Sequence, residues 1–285
     1  MPDCTAPQDR TASHGAWQAR LALRFADDGG VTRLVENSHY GPLRVQKALY
    51  PEGGAVCHAI VVHPPGGVVG GDQLQIDASI GAHAHALIST PGAAKWYKAN
   101  GKISRQRVTL DVAAGAALEW LPQETIFFDT AHVALDQHIA LAADATYIGC
   151  EILCMGRRAS GESFNTGTIT QRTQIRRGGK LVWWEQGALI GGRLDSPLSL
   201  NGCTVCATLI AVGAVPPPAV LAAIRTEIEA DGSPAFGITQ FKGVLVARHL
   251  GDDSETARRL MLTVWRHLRP HLLRREAVTP RIWQT

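Results

Sequence analysis

The sequence predicts a mainly β fold with helices confined to its last third. Three observations carry this. Apolar residues recur with period two over most of the chain, turn signals cut these runs at short intervals, and helical spacing appears only after residue 214. From Trp17, the residues Trp17, Ala19, Leu21, Leu23 and Phe25 fall on one strand face, with Gln18, Arg20 and Arg24 on the other. Leu74, Ile76, Ala78 and Ile80 repeat the pattern, and Val133, Leu135 and Ile139 follow it less regularly. Turn signals stand at Asp27-Asp28-Gly29-Gly30, Ala113-Ala114-Gly115 and Arg177-Gly178-Gly179-Lys180. The last lies between TITQRTQIRR and KLVWWEQ and predicts a hairpin. Strands at this spacing up to about residue 212 make an extended all-β body, a sandwich or a solenoid-like stack of sheets.

Helices follow. Pro216-Pro217-Pro218 precedes AVLAAIRTEIEA, whose Val220, Leu221, Ile224 and Ile228 have helical spacing, and Pro suits a helix start. Asp252, Asp253 and Ser254 can cap ETARRLMLTVWRHL, where Leu260, Met261, Val264, Trp265 and Leu268 form an apolar stripe. Pro270 is expected to end or kink that helix. Between the two helices, GITQFKGVLVARHL reads as one or two strands. With no low-complexity linker and no clear repeat, one domain with a helical C-terminal portion is expected: a β body over 17–214 and a helix-containing part over 215–285.

Composition narrows the function classes. At 45% hydrophobic and 19% charged residues, 285 residues can bury a substantial core and are not a disordered chain. A net charge of +3, with basic residues dispersed apart from pairs such as Arg176-Arg177 and Arg274-Arg275, argues against a nucleic-acid partner. No apolar run reaches the ~18 residues of a membrane span. The start, MPDCTAPQDR, lacks a signal-peptide pattern, so a cytoplasmic location is expected. Six cysteines suit a reducing compartment in a chain too large to need disulfides.

Several motifs have bland readings. The run His63 to Asp72, HPPGGVVGGD, cannot be an ordinary helix or central strand, and it lacks the Lys and hydroxyl of a P-loop. It reads as a tight glycine-rich crossing between strands. Cys203/Cys206 and Cys150/Cys154 lack a second pair at zinc spacing and read as buried small hydrophobes. His83 and His85 share a face if HAHALIS is a strand, which is an incomplete metal site. His267 and His271 are expected at a frayed, solvated helix end. The carboxylates say more. Asp72, Glu124, Glu151 and Glu185 lie in apolar or β-rich surroundings, where a lone carboxylate is costly. Each needs a cation, a polar network or water. Arg157, Arg158, Arg172 and Arg193 are the candidate ion-pair partners, and four such acids in one β body point to a hydrated acidic passage or site.

HPPGGVVGGD, STPGAAKWYKA from Ser89, LEWLPQETIFFDTA from Leu118, GRRASGE from Gly156, KLVWWE and the terminal PRIWQT together closely resemble the urease accessory protein D family, called H in some organisms. The resemblance runs from Trp17 to Thr285 and leaves 1–16 as a variable leader. It implies a β-helix-like stack of about 15 or more short strands with two α-helices in the C-terminal third. It implies a non-catalytic scaffold in urease maturation that binds apo-urease and, through the helical accessory protein F (UreF), the GTPase G (UreG). It also implies an internal water-filled tunnel for nickel, whose lining maps onto Asp72, Glu151 and Glu185, with Glu124 a weaker candidate. A further position that is often polar in the family is Ala94 here and supplies no ligand. No tightly bound cofactor is implied, only transient Ni²⁺. Isolated carboxylates with water suit release, because Ni²⁺ prefers nitrogen and sulfur ligands and a Cys/His cage would retain it.

Docking candidates are Trp96, Tyr97, Trp265, Trp283 and Arg281, with the C-terminal helix and tail expected to meet UreF. Two other readings stand beside this one. One is a scaffold without a conduit. The other is a carbohydrate-active hydrolase or lyase on a β-stack, using paired carboxylates roughly 5–9.5 Å apart.

Overall fold

The structure, a computed structural model, describes residues 16–232 and 235–284, so the expected leader lies outside the described residues except for its last one. The strands are β1 (Gln18–Asp28), β2 (Val31–Tyr40), β3 (Arg44–Leu49), β4 (Cys57–Val62), β5 (Gln73–Ile80), β6 (His85–Ser89), β7 (Ala94–Trp96), β8 (Ser104–Val112), β9 (Ala117–Leu121), β10 (Thr125–Phe127), β11 (His132–Leu141), β12 (Thr146–Met155), β13 (Thr168–Arg177), β14 (Lys180–Ile190) and β15 (Val205–Val212). Helix α1 (Pro218–Ala230), β16 (Phe236–Phe241), β17 (Val244–Gly251) and helix α2 (Ser254–Leu273) follow.

They form a seven-stranded sheet, β14-β13-β11-β8-β5-β1-β2, and a ten-stranded sheet, β16-β17-β15-β12-β9-β6-β4-β3, with β7 and β10 joined beside β12. From β4 to β13 the chain alternates between the sheets. β5, β8, β11 and β13 stack in parallel on one side, and β4, β6, β9 and β12 on the other. The short parallel pair β7 and β10 makes a third side. This is the expected β-helix-like stack. Antiparallel hairpins close its ends, including β13–β14 at the Arg177–Lys180 turn.

Two apolar layers hold it together. Strict alternation in β5 buries Leu74, Ile76, Ala78 and Ile80 between the sheets. β6 is buried on both faces, because α1 and α2 cover the far side of the ten-stranded sheet, and its centre, Ala86, Leu87 and Ile88, is apolar without alternation. Ala257, Leu260, Met261, Val264, Trp265 and Leu268 of α2 are each at most 2% exposed. Burial on that scale contributes about 1.5–3 kcal/mol for each large side chain. Asp253 caps α2 by accepting from Thr256 N at 2.8 Å.

Helix α2 does not stop at Pro270 but runs to Leu273 and ends at Arg274, in the left-handed region. Pro270 lies inside the helix near its end, and the buried Arg269 beside it anchors that turn. The glycine-rich run is a close crossing, as expected. A Cβ at Gly70 would lie 1.9 Å from Ala99 O, and one at Gly67 would meet the Tyr97 ring. Gly71 has φ +97, a conformation L side chains rarely adopt.

Candidate functional site

Glu151 lies on the core-facing side of β12, with Tyr147 and Leu153 as same-face neighbours. Glu185, opposite Thr173 on the edge strand β14, points into the same space from the other sheet. Between them is a cavity of about 30 Å³, lined also by Gln171, Gln137, Thr208 and Trp120. That is room for a water or two. The Trp120 indole N–H is buried without a protein partner, as a donor beside cavity water would be.

Glu151 accepts a hydrogen bond from Gln171 Nε2. Glu185 accepts from Arg248 Nη2 of β17, and both side chains are partly exposed, which makes that pair the lip of the cavity. Burial, then the charge of Glu185, pushes the Glu151 carboxyl up to about 7, only partly opposed by Gln171. The neighbouring thiols are also pushed up, Cys150 to about 12 and Cys206 to about 11, by burial and then by Glu151. They stay protonated at neutral pH. The oxygen donors lining the cavity are the two carboxylates, the Gln137 and Gln171 amides and the Thr208 hydroxyl.

The other two predicted acids lie elsewhere. Asp72, just before β5, is 2% exposed, and it accepts from the backbone N–H groups of Trp17 (2.9 Å) and Val69 (3.0 Å). It clamps the glycine crossing onto β1 and does not line the Glu151 cavity. Glu124 follows β9 and pairs with Arg258 of α2, while its backbone carbonyl accepts from Ala94 N.

The arginine partners differ from those expected. Arg172 binds Asp136, Arg157 binds Glu162, and the predicted acids are met by Arg248 and Arg258, whose places in β17 and α2 only the fold brings near. Asp129 accepts from Asn165 N and Thr166 N at 2.8 Å, and Arg157 lies 4.4 Å over the Phe128 ring. The LEWLPQETIFFDTA and GRRASGE segments thus clasp one another.

Sequence reasoning missed the most buried carboxylate. Glu119 of β9 is 0% exposed and faces α2. It accepts from Arg269 Nε (3.2 and 3.1 Å) and Trp265 Nε1 (2.6 Å), and His85 Nε2 lies 2.8 Å away. Arg269 also donates to Glu52 at 2.8 Å, and His58 lies 2.7 Å from the same carboxylate. Burial alone would raise Glu119 and Glu52, but His85, His58 and Arg269 override it and hold both carboxyls below the usual range. The signal was present: Arg269, four residues after Trp265, falls on the apolar stripe of α2, where a cation needs a buried anion.

Several smaller expectations change as well. His83 is in a turn (φ 62) and β6 begins at His85, so the two do not share a strand face. Cys150 and Cys154 are buried, whereas Cys203 and Cys206 are half-buried. His267 is half-buried and lies 2.7 Å from the exposed Glu227 of α1, whereas His271 is exposed in the last turn of α2. Trp96 and Trp265 are each 1% exposed and have no surface to offer in this conformation. Tyr97 packs edge-on against Phe128. Trp283 is half-buried, donating to Ser89 Oγ at 2.7 Å, and Arg281 is exposed. Among the described residues no three His, Cys, Asp or Glu side chains gather into a metal-holding group, and no helix is long and apolar enough to cross a membrane.

Comparison with known proteins agrees with these segments. A sequence model of the family described as UreD urease accessory protein matches residues 18–284. Urease accessory protein UreD of Janthinobacterium sp. (strain Marseille) is 62% identical over 271 residues, covering 94% of this chain and 92% of that protein. That of Nitrosospira multiformis is 52% identical over 278 residues (96% and 100%), and that of Dechloromonas aromatica 48% over 275 residues (95% and 95%). With a match running from the first strand through the tail that donates to Ser89, the chain belongs to the UreD urease accessory protein family.

Proposed function

We propose that this protein is a non-catalytic scaffold of urease maturation. In this reading it holds apo-urease and, through UreF, the GTPase UreG, and passes Ni²⁺ transiently along internal carboxylates with no resident cofactor. The observation that carries the conduit is the Glu151–Glu185 pair. Two carboxylates share one small cavity, and among the described residues the cation paired with either of them is Arg248, at its exposed lip. A dication passing this point would hold both acids ionised.

In the test, Glu151→Ala and Glu185→Ala variants are co-purified with apo-urease, UreF and UreG, and nickel is counted in the recovered urease. The expected outcome is intact assembly with nickel content lowered about ten-fold, the low end of what losing even an outer-shell contact costs a metal site. Full nickel content in both variants would abandon the conduit.

The scaffold without a conduit is the second reading. It is favoured by Asp72, which is held by two backbone N–H groups outside the cavity. The hydrolase reading has less support. Asp136, in the open groove of the seven-stranded sheet, is held below the usual carboxylate range by Arg172, unlike a general acid.

A further inference from the structure

The two sheets are finished differently on their outer faces. Helices α1 and α2 cover the ten-stranded sheet, and the seven-stranded sheet is bare. Register places Arg20, Gln75, Arg107, Asp136, Arg172 and Gln186 in one outward row, which Tyr40 of β2 extends at the rim. Seven strands at their usual spacing make this row about 29 Å long. The next row adds Arg105, and a groove of about 990 Å³ follows both rows.

Its charge is unbalanced. Arg20, Arg105, Arg107 and Arg172 line it against a single acid, Asp136. That acid is already taken by Arg172 (2.8 and 2.6 Å), with His138 at 3.1 Å and Arg107 at 3.8 Å. Arg20 leans towards Asp77 at 3.2 Å. Arg105 has no ion-pair partner among the described residues, and the Arg107 side chain is 64% exposed. The opposite end of the same face carries Asp77 and Asp111 beside Arg24 and Arg176, with Arg24 meeting Glu36 at 3.4 Å. Burial, then the charge of Asp77, raises the Asp111 carboxyl there. The excess of arginine over acid on this face thus lies in the groove. Tyr40 (69% exposed) stands at the rim of the groove as an aromatic anchor of the kind that dominates interfaces, and Trp184 of β14 (49%) lies one row away, in the row of Asp77.

We propose that this groove docks an acidic helical segment of a partner protein, whose carboxylates meet Arg105, Arg107 and their neighbours. Arg20, Arg107 and Arg172 recur on alternate strands, about 10 Å apart, and two turns of α-helix rise about 10.8 Å. A helix laid across the strands with an acid at every seventh position places one carboxylate opposite each arginine. The guanidinium fork gives each contact direction as well as charge. The proposal rests on the scaffold reading only in supposing a protein partner.

The probe is a fluorescein-labelled, alanine-rich helical peptide of about 22 residues carrying Glu at heptad spacing, with a Gln counterpart. Binding to the full chain is read by anisotropy. The Glu peptide is expected to bind and the Gln peptide not to. Affinity should fall at least about ten-fold between about 0.05 and about 0.3 M salt. Arg105→Glu with Arg107→Glu should weaken it at least about ten-fold more, and Arg24→Glu with Arg176→Glu, at the far end, less than about two-fold. If the first pair fails to fold by circular dichroism, Arg105→Gln with Arg107→Gln takes its place. Equal losses from both pairs, no binding of the Glu peptide, or tighter binding of a single-stranded RNA of equal length through the same arginines would overturn the proposal. If the peptide fails while apo-urease still co-purifies, only the groove falls. If wild-type protein recovers no apo-urease, the scaffold itself falls.

Discussion

Glu119 and Glu151 sit on the neighbouring strands β9 and β12 of one sheet and point to opposite faces. Glu119, on the helix side, is surrounded by Arg269, His85 and Trp265, and its carboxyl is held low. Glu151, on the core side, has one amide and a second carboxylate, and its carboxyl is raised to about 7. The residue type and the sheet are the same, so the neighbours alone decide the outcome. An acid saturated by cations belongs to the frame and fixes α2 to the sheet. An acid facing another acid is an unbalanced charge that only a proton or an entering cation relieves.

The sharpest way to break this contrast is to remove a partner from the frame. Arg269→Ala leaves Glu119 and Glu52 buried without their cation, and it should cost about 3–5 kcal/mol in denaturant unfolding. Arg269→Met with Glu119→Leu should cost clearly less than the two single changes summed, because the pair leaves together. Additive costs would mean that Glu119 is no more coupled than Glu151. A second consequence appears at acid pH. Folded Glu119 and Glu52 hold protons more weakly than the unfolded chain does. Their stabilisation is complete above about 4.5 and is lost as pH falls through their lowered values.

Glu151 has the opposite sign. Its folded carboxyl binds a proton more tightly than the unfolded one, so its contribution is present below pH 4.5 and is lost as pH rises through about 7. The gap corresponds to about 3 kcal/mol. Glu185, with Arg248 beside it, is the charged group facing Glu151, and the adjacent thiols stay neutral in this window. In chelator-treated protein, Glu151→Gln should therefore be more stable than wild type by up to about 3 kcal/mol at pH 8 and nearly equal at pH 4.5. Parallel stability curves for the two proteins between those pH values would remove the unbalanced charge from the account.

How much of this could be read from the chain depended on whether a residue's partner is local. Period two gave β1, β5 and β11, and the Arg177–Lys180 turn gave the β13–β14 hairpin, because both signals sit within a few residues. The isolation of Glu151 and Glu185 was visible in their apolar flanks. That they face each other was not, since it depends on which rungs of the stack coincide. Glu119 escaped although its flanks, Leu118 and Trp120, resemble those of Glu151, because its partner lies 150 residues away on α2. Asp72 shows the converse: an acid in a glycine-rich run suggests a site, and its two backbone donors make it a clamp. His83 was misplaced for a nearer reason: it stands in the turn just before β6, at φ 62, outside the strand whose face it was expected to share.

The smallest expected effect tests whether the two regions are independent. Trp283 lies against Trp265 with ring centroids 6.1 Å apart, and its N–H reaches Ser89, whose hydroxyl in turn donates to the Leu121 carbonyl at 2.6 Å. The tail thus straps the helix side of the sheet, and Trp265 connects it to Glu119. Trp283→Ala should cost about 1–2 kcal/mol, less than a fully buried Trp would, and Trp283→Phe about 1 kcal/mol or less, because the ring contact survives. Neither should alter the pH slope that belongs to Glu151, since the sheet lies between them. If Trp283→Ala shifted that slope as Glu151→Gln does, loosening the strap would be changing the cavity. The frame and the unbalanced pair would then be one coupled device, and a partner that displaced the tail would control the access of a cation to Glu151.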